Sequence, residues 1–276
     1  MKCKLTKSLI LTINAVLLAA FFNACTTPAS NSATPAASSS ATTEQASAPR
    51  QRYWVTEVHV KPEMMTQYRE FALKETLSAY QKAGYKQQSV WMTATLGEAF
   101  EYIYFRPIES LQQFDEPNFI TKALGEEGAR KWFAKRGAMI VSSHSYIMQA
   151  HPEMSLVPNP NETPKLAFVV RQSIAPGRST EYENYIKNDV LPIVKKANPK
   201  GFLFNKVTNG GDTEMYVSAT LQDSFADQEK WTAALLKEGY GNVVAKRAGI
   251  MTHRESAVYR YVPELSLRPQ TVVEKK

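Results

Sequence analysis

The stretch His151–Pro158, HPEMSLVP, returns as Val262–Pro269, VPELSLRP, 111 residues later. Extending the match without a gap over Thr121–Pro158 and Thr232–Pro269 gives 14 identities in 38 positions, including a shared AKR at 134–136 and 245–247. Upstream the offset becomes 114, so that Val55, Pro62, Thr66, Tyr68, Leu77 and Lys82 fall on Val169, Pro176, Thr180, Tyr182, Leu191 and Lys196. Each copy runs for about 105 residues, a domain's length, so the pattern reads as a tandem duplication and not as a solenoid of short repeats. The joint falls in VPNPNETPK, Val157–Lys165, whose prolines and asparagines disfavour continued helix or strand.

The same order of elements is expected in both copies. YWVTEVHV and LAFVVRQSI are β-branched and aromatic runs that end at Pro62 and Pro176, where a helix can begin because proline at a first turn loses no needed donor. Tyr68, Phe71, Ala72, Leu77 and Tyr80, and in the second copy Tyr182, Tyr185, Ile186, Leu191 and Val194, form one apolar stripe at helical spacing. Two strands joined by a turn follow in each copy, QSVWMTAT with FEYIYF and GFLFNKV with EMYVSATL. A second helical region, broken in the first copy by Pro117, precedes the last strands HSYIMQAH and ESAVYRYV. The order β-α-β-β-α-β is that of a ferredoxin-like unit, with helices on one face of the sheet. The expected class is therefore α+β: two tandem ferredoxin-like repeats, 51–158 and 165–269, joined by a linker at 159–164 and packed sheet to sheet as an intrachain pseudo-dimeric barrel. The residues 270–276 read as a tail.

With the VKP and APG strand-to-helix junctions and the duplication, this order resembles the dimeric α+β-barrel superfamily of antibiotic-biosynthesis monooxygenases and the NIPSNAP and EthD groups. The resemblance covers roughly Tyr53 to Pro269. It implies a range of roles, from cofactor-free oxygenases and haem-degrading enzymes to isomerases and proteins without catalysis, so the fold does not fix the function. Haem-degrading relatives use a histidine on a helix as iron ligand, whereas none of the four histidines here falls in an expected helix. No cofactor is expected.

Residues 1–24 carry Lys2, Lys4 and Lys7, no acid, and the apolar run SLILTINAVLLAAFF, and read as an export signal. The two cysteines are Cys3, inside that signal, and Cys25, directly after it. This resembles a bacterial lipoprotein, which implies lipidation at Cys25 and a position on the periplasmic side of the envelope, at the outer membrane if the organism is Gram-negative. An ordinary cleaved leader or an uncleaved anchor, with Cys25 a leftover thiol, is the other reading. Residues 25–50, almost all Ser, Thr, Ala and Pro, read as a disordered tether. Composition fits a globular remainder, with 43% hydrophobic and 21% charged residues. The formal charge of +7 falls to +4 without the three leader lysines, too small an excess to imply nucleic acid as partner.

Candidate site residues follow from strand alternation. If Val58, Val60, Ile103, Ile147, Ile174, Val217 and Val258 face the helices, their neighbours point into the barrel: Glu57, His59, Tyr102, Tyr104 and His144, then Arg171, Ser173, Tyr216, Ser218, Glu255 and Tyr259. That list is polar for a filled interior. The offsets also set Glu57 against Arg171 and His144 against Glu255, so the copies differ where they meet. A small aromatic or carboxylated ligand in the inter-repeat cavity is the leading expectation, with His59 or His144 as acid or base and Arg171 as anion partner. The bland reading is an interior Glu57–Arg171 ion pair and a His59–tyrosine hydrogen bond with nothing bound. A cofactor-independent oxygenase or isomerase and a non-catalytic envelope interaction module are the alternatives. There is no G-x-S-x-G, H-E-x-x-H or C-x-x-C, so neither a serine nucleophile nor a metal site is expected. His151 and His253 are expected at the surface.

Overall fold

The computed structural model describes residues 50–159 and 162–268. The leader, Cys25, nearly all of the tether, part of the 159–164 linker and the tail lie outside the described residues. Eight strands are β1 (Arg52–Val60), β2 (Ser89–Thr93), β3 (Glu101–Ile108), β4 (Ile140–Ala150), β5 (Leu166–Ile174), β6 (Gly201–Asn209), β7 (Met215–Gln222) and β8 (Met251–Tyr261). Helix α1 spans 65–82, α2 is Phe119–Met139, α3 spans 179–197, α4 is Phe225–Lys237 and α5 is Tyr240–Val244.

Both α1 and α3 follow a strand through a proline or Pro-Gly junction, and both carry a π turn, at Ala72–Thr76 and Ile186–Val190. In α3 the π turn directly precedes Leu191-Pro192, so the register widens just before a residue that has no N–H to give. Helix α2 starts where Asn118 caps it, its Oδ1 accepting from the backbone N–H of Ile120 and Thr121 at 3.0 and 3.1 Å. Gly125, at φ 69°, puts a kink inside α2 that a side chain would resist.

All strand pairs are antiparallel, and the order β1-β3-β2-β8-β5-β7-β6-β4 closes on itself as one barrel. β1 and β3 are the inner strands of one half, β5 and β7 those of the other. Closure is made at the seams β2–β8 and β4–β6. The expected sheet-to-sheet packing is thus realised edge to edge: the outer strands of each half pair with those of the other, which leaves no unpaired sheet edge. One apolar layer lies between α1, α2 and the first four strands, around Tyr68, Phe71, Tyr80 and Trp132. A second lies between α3, α4 and the last four, around Tyr182, Phe204 and Tyr216. The third, around Val55, Ile103, Tyr146, Met148 and Val217, lines the barrel itself.

Candidate functional site

Antiparallel register decides which side chains enter the barrel, because directly opposed residues share a face. Glu57 on β1 stands opposite Ile103 on β3 and His144 on β4. Arg171 on β5 stands opposite Val217 on β7 and Glu255 on β8. Glu57, His59, His144, Arg171, Ser173, Glu255 and Tyr259 therefore lie on the barrel side, and Ile103 and Val217 lie there with them instead of facing the helices. Tyr102, Tyr104, Tyr216 and Ser218 point the other way, contrary to the alternation expected from the sequence.

The tyrosines go under the helices because aromatic partners wait there. The Tyr68 ring lies 5.3 Å from that of Tyr102, and its hydroxyl is 3.0 Å from the Tyr104 hydroxyl. Tyr216 packs 5.1 Å from Tyr182 and donates to Glu183 at 2.9 Å. Burial keeps these phenols protonated: that of Tyr102 is pushed up to about 12, and that of Tyr104 well above its ordinary value.

The same flip reveals a residue that alternation had placed outside. Glu101 stands opposite His59 on the barrel side and is only 4% exposed. Tyr259 donates to its Oε2 at 2.6 Å, and His59 Nε2 lies 3.3 Å from its Oε1. Arg171 Nη2 donates to Glu57 Oε1 at 2.7 Å and to the Tyr259 hydroxyl at 3.2 Å, while Nη1 reaches Glu255 at 3.5 Å. Tyr146 donates to Glu57 Oε1 at 2.8 Å. The result is a continuous network, Tyr146–Glu57–Arg171–Tyr259–Glu101, across the barrel. Burial, followed by repulsion from Glu57, raises the Glu101 carboxyl above its ordinary range against the opposing pull of the Tyr259 hydrogen bond. The expected Glu57–Arg171 ion pair is present; His59 meets a carboxylate in place of a tyrosine.

This network divides the interior into two chambers. One, of about 440 Å³, is apolar, with Tyr53, Trp91, Phe105, Met148, Leu203 and Leu221 among its walls and Tyr146, Arg171 and Tyr259 at its polar end. The other, of about 490 Å³, holds Glu57, Glu98, Glu101, Asp212 and Glu255 against Arg171, His59 and His144. Carboxylates outnumber guanidinium there, and Arg171 is already engaged. β-Bulges beside His59 in β1 and beside Ser173 in β5 sit at this acidic end.

His151 is not a surface residue. It is 2% exposed, 6.4 and 6.2 Å from the rings of Phe204 and Tyr216, with Nδ1 3.1 Å from Glu153 Oε1. Burial, then the charge of Arg50, pushes its imidazole below the ordinary value. The ring is placed by the backbone: the main-chain N–H of His151 donates to Phe204 O across the β4–β6 seam, which draws the side chain into the second half's core. His253 is exposed. All four histidines lie on strands or at strand ends. Among the described residues no three His, Cys, Asp or Glu side chains converge as metal ligands, and no helix is long and apolar enough to cross a membrane.

No family model and no curated protein matches the chain. Solved structures do. A provisionally assigned monooxygenase of Fusobacterium nucleatum aligns over 77% of this chain and 93% of its own at 13% identity, with a TM-score of 0.54. An anthrone oxidase-like protein aligns over 77% and 92% at 14% identity, also at 0.54. A provisionally assigned monooxygenase of Lactobacillus acidophilus NCFM aligns over 77% and 94% at 6% identity and 0.52. At these identities the likeness is one of fold: the α+β barrel whose units are ferredoxin-like.

Proposed function

We propose that the chain is an exported protein, lipid-anchored through Cys25 on the periplasmic side of a bacterial envelope, that arose by tandem duplication and binds a small, largely apolar aromatic molecule inside its barrel. The observation that carries this reading is the 440 Å³ apolar chamber, which has aromatic and aliphatic walls and a few convergent donors at one end. Protein interiors are normally close-packed, and a barrel serving only as a scaffold for partners would be filled. The charge balance of the interior refines the ligand. Arg171 is neutralised by Glu57 and Glu255, and the adjoining chamber is acidic, so a neutral polar group facing Tyr146 and Tyr259 suits the site better than a free carboxylate.

A second reading is a cofactor-independent oxygenase or isomerase. It is favoured by His59, 3.3 Å from the buried Glu101, as a base held next to a carboxyl group, and by the monooxygenase names among proteins of this fold.

Native mass spectrometry of the chain purified from its own host tests the binding. A retained small molecule is expected in the wild type and is expected to be absent from Ala219→Phe, because Ala219 lines the apolar chamber and the larger ring fills it. A molecule retained equally by both would place binding elsewhere. Cys25→Ser is expected to release the chain from the membrane fraction; unchanged partitioning would remove the anchor from the proposal.

A further inference from the structure

Outside the barrel, under α1 and α2, a third cavity of about 240 Å³ is lined by Trp54, Tyr104, Arg106, Phe119, Trp132 and Arg136, with Ser, Thr and Asn side chains but no Asp or Glu. Arg106 is 5% exposed. Its Nε donates to Gln88 Oε1 at 2.8 Å and its Nη1 to Thr56 Oγ1 at 3.2 Å, both neutral acceptors. Aromatic faces surround the guanidinium, with Trp54 at 4.9 Å, Tyr104 at 5.1 Å, and Tyr80 and Phe119 at 5.4 Å. Among the described residues no carboxylate comes within ion-pairing distance of Arg106 or of Arg136, which bonds Ser143 at 2.8 Å and lies over Trp132. A buried charge ordinarily has a counter-charge. Independently, the indole N–H of Trp132, a residue 6% exposed, has no acceptor among the described residues.

The other half of the molecule shows that the fold does not require this cation. Strand register sets Arg106 opposite Trp54 and Thr220 opposite Phe168 in the corresponding place, and Tyr104 opposite Thr56 where Ser218 stands opposite Val170. Ser89 pairs with Phe105 as Leu203 does with Ala219, so Phe202 takes the position of Gln88. The second half builds the same layer from Phe202, Thr220 and Val170, with no counterpart of Arg106.

We propose that this cavity is a ligand site of its own, taking a small organic carboxylate whose anionic group meets Arg106, Arg136 and the Trp132 N–H and whose flat apolar body lies against Trp54 and Phe119. A planar monoanion matches the fork of the guanidinium. A strongly hydrated phosphate dianion would have to shed its water among aromatic rings with few donors. The site is separate from the barrel chambers, so the two readings stand or fall apart.

Titration calorimetry of the whole chain at low ionic strength, with benzoate, its neutral isostere benzamide and inorganic phosphate, tests it. Benzoate is expected to bind one to one, with benzamide and phosphate at least about tenfold weaker, the scale of a charge-assisted hydrogen-bond pair. Arg106→Gln is expected to weaken benzoate about tenfold or more and to leave benzamide as it was; Trp132→Phe is expected to weaken benzoate a few-fold. Because Arg106 lies in the core and its variant can fail to fold, Arg136→Gln at the cavity's edge is measured beside it, with the same direction expected. No saturable benzoate binding at millimolar concentration, phosphate tighter than benzoate, or benzoate binding unchanged in Arg136→Gln and any folded Arg106→Gln would overturn the proposal.

Discussion

Glu101 is a carboxyl group held inside a barrel between a phenol and an imidazole, and its surroundings favour the neutral form. The sign of the pH dependence follows. A carboxyl whose folded value is raised contributes stability that is fully present below its ordinary value of 4.5 and is lost as pH rises through the raised value. Glu101→Gln keeps the neutral state at every pH and still accepts from Tyr259. The variant is therefore expected to melt at the same temperature as wild type near pH 4 and above it near pH 8, by differential scanning calorimetry at both; a lower melting temperature at pH 8 would show that the ionised form is the stabilising one. The sequence did not disclose Glu101 because FEYIYF alternates two ways: aliphatic Ile103 looked outward and tyrosines inward, and only pairing with β1 settles which set shares a face with Glu57. The feature that separates the two is Tyr68 on the helical stripe, the partner that draws Tyr102 and Tyr104 under the helix and leaves Glu101 in the interior. Glu57, His59 and Arg171 were legible because β1 and β5 alternate without that ambiguity.

Among the elements, α2 depends most visibly on a single residue. Pro117 ends one segment, and the Asn118 side chain accepts from the N–H groups of Ile120 and Thr121 at the start of the helix. Asn118→Ala is expected to cost about 1 kcal/mol, the usual value of such a cap. For a domain of this size that lowers the melting temperature by about 2–4 °C, readable by circular dichroism, whereas Asn118→Asp is expected to retain most of it. A loss far below this would show that tertiary packing of Trp132 and Phe119 fixes the helix start by itself. Element order was legible from the two apolar stripes and the Pro junctions. The last strands are longer than HSYIMQAH and ESAVYRYV, because β4 and β8 begin with the exposed runs Val141–Ser145 and Thr252–Ser256, which carry no apolar alternation yet pair with β1 and β5.

At the scale of the whole molecule the barrel has strong centres and narrow seams. β5 pairs with β8 through nine residues, whereas β2 and β8 share three ladder pairs, Trp91–Tyr261, Met92–Arg260 and Thr93–Tyr259, extended by single bonds from the Val262 N–H to Val90 O and from the Ala94 N–H to Val258 O. Local opening follows such differences in backbone pairing. Amide hydrogen exchange followed by mass spectrometry is expected to show the Trp91–Thr93 segment exchanging about tenfold or more faster than β1 and β5; uniform protection would mean that the barrel opens only by global unfolding. The bond across the centre has a further consequence. Glu57 and Arg171 occupy matching places in the two halves, by register and by the 114-residue offset, and they bind each other at 2.7 Å. A barrel assembled from two separate copies of the first half would bring acid against acid at that point, and two copies of the second would bring base against base. The septum is thus a heterologous lock: each half is repelled by its own kind and completed by the other, so joining them in one chain secures the one pairing in which the charges agree.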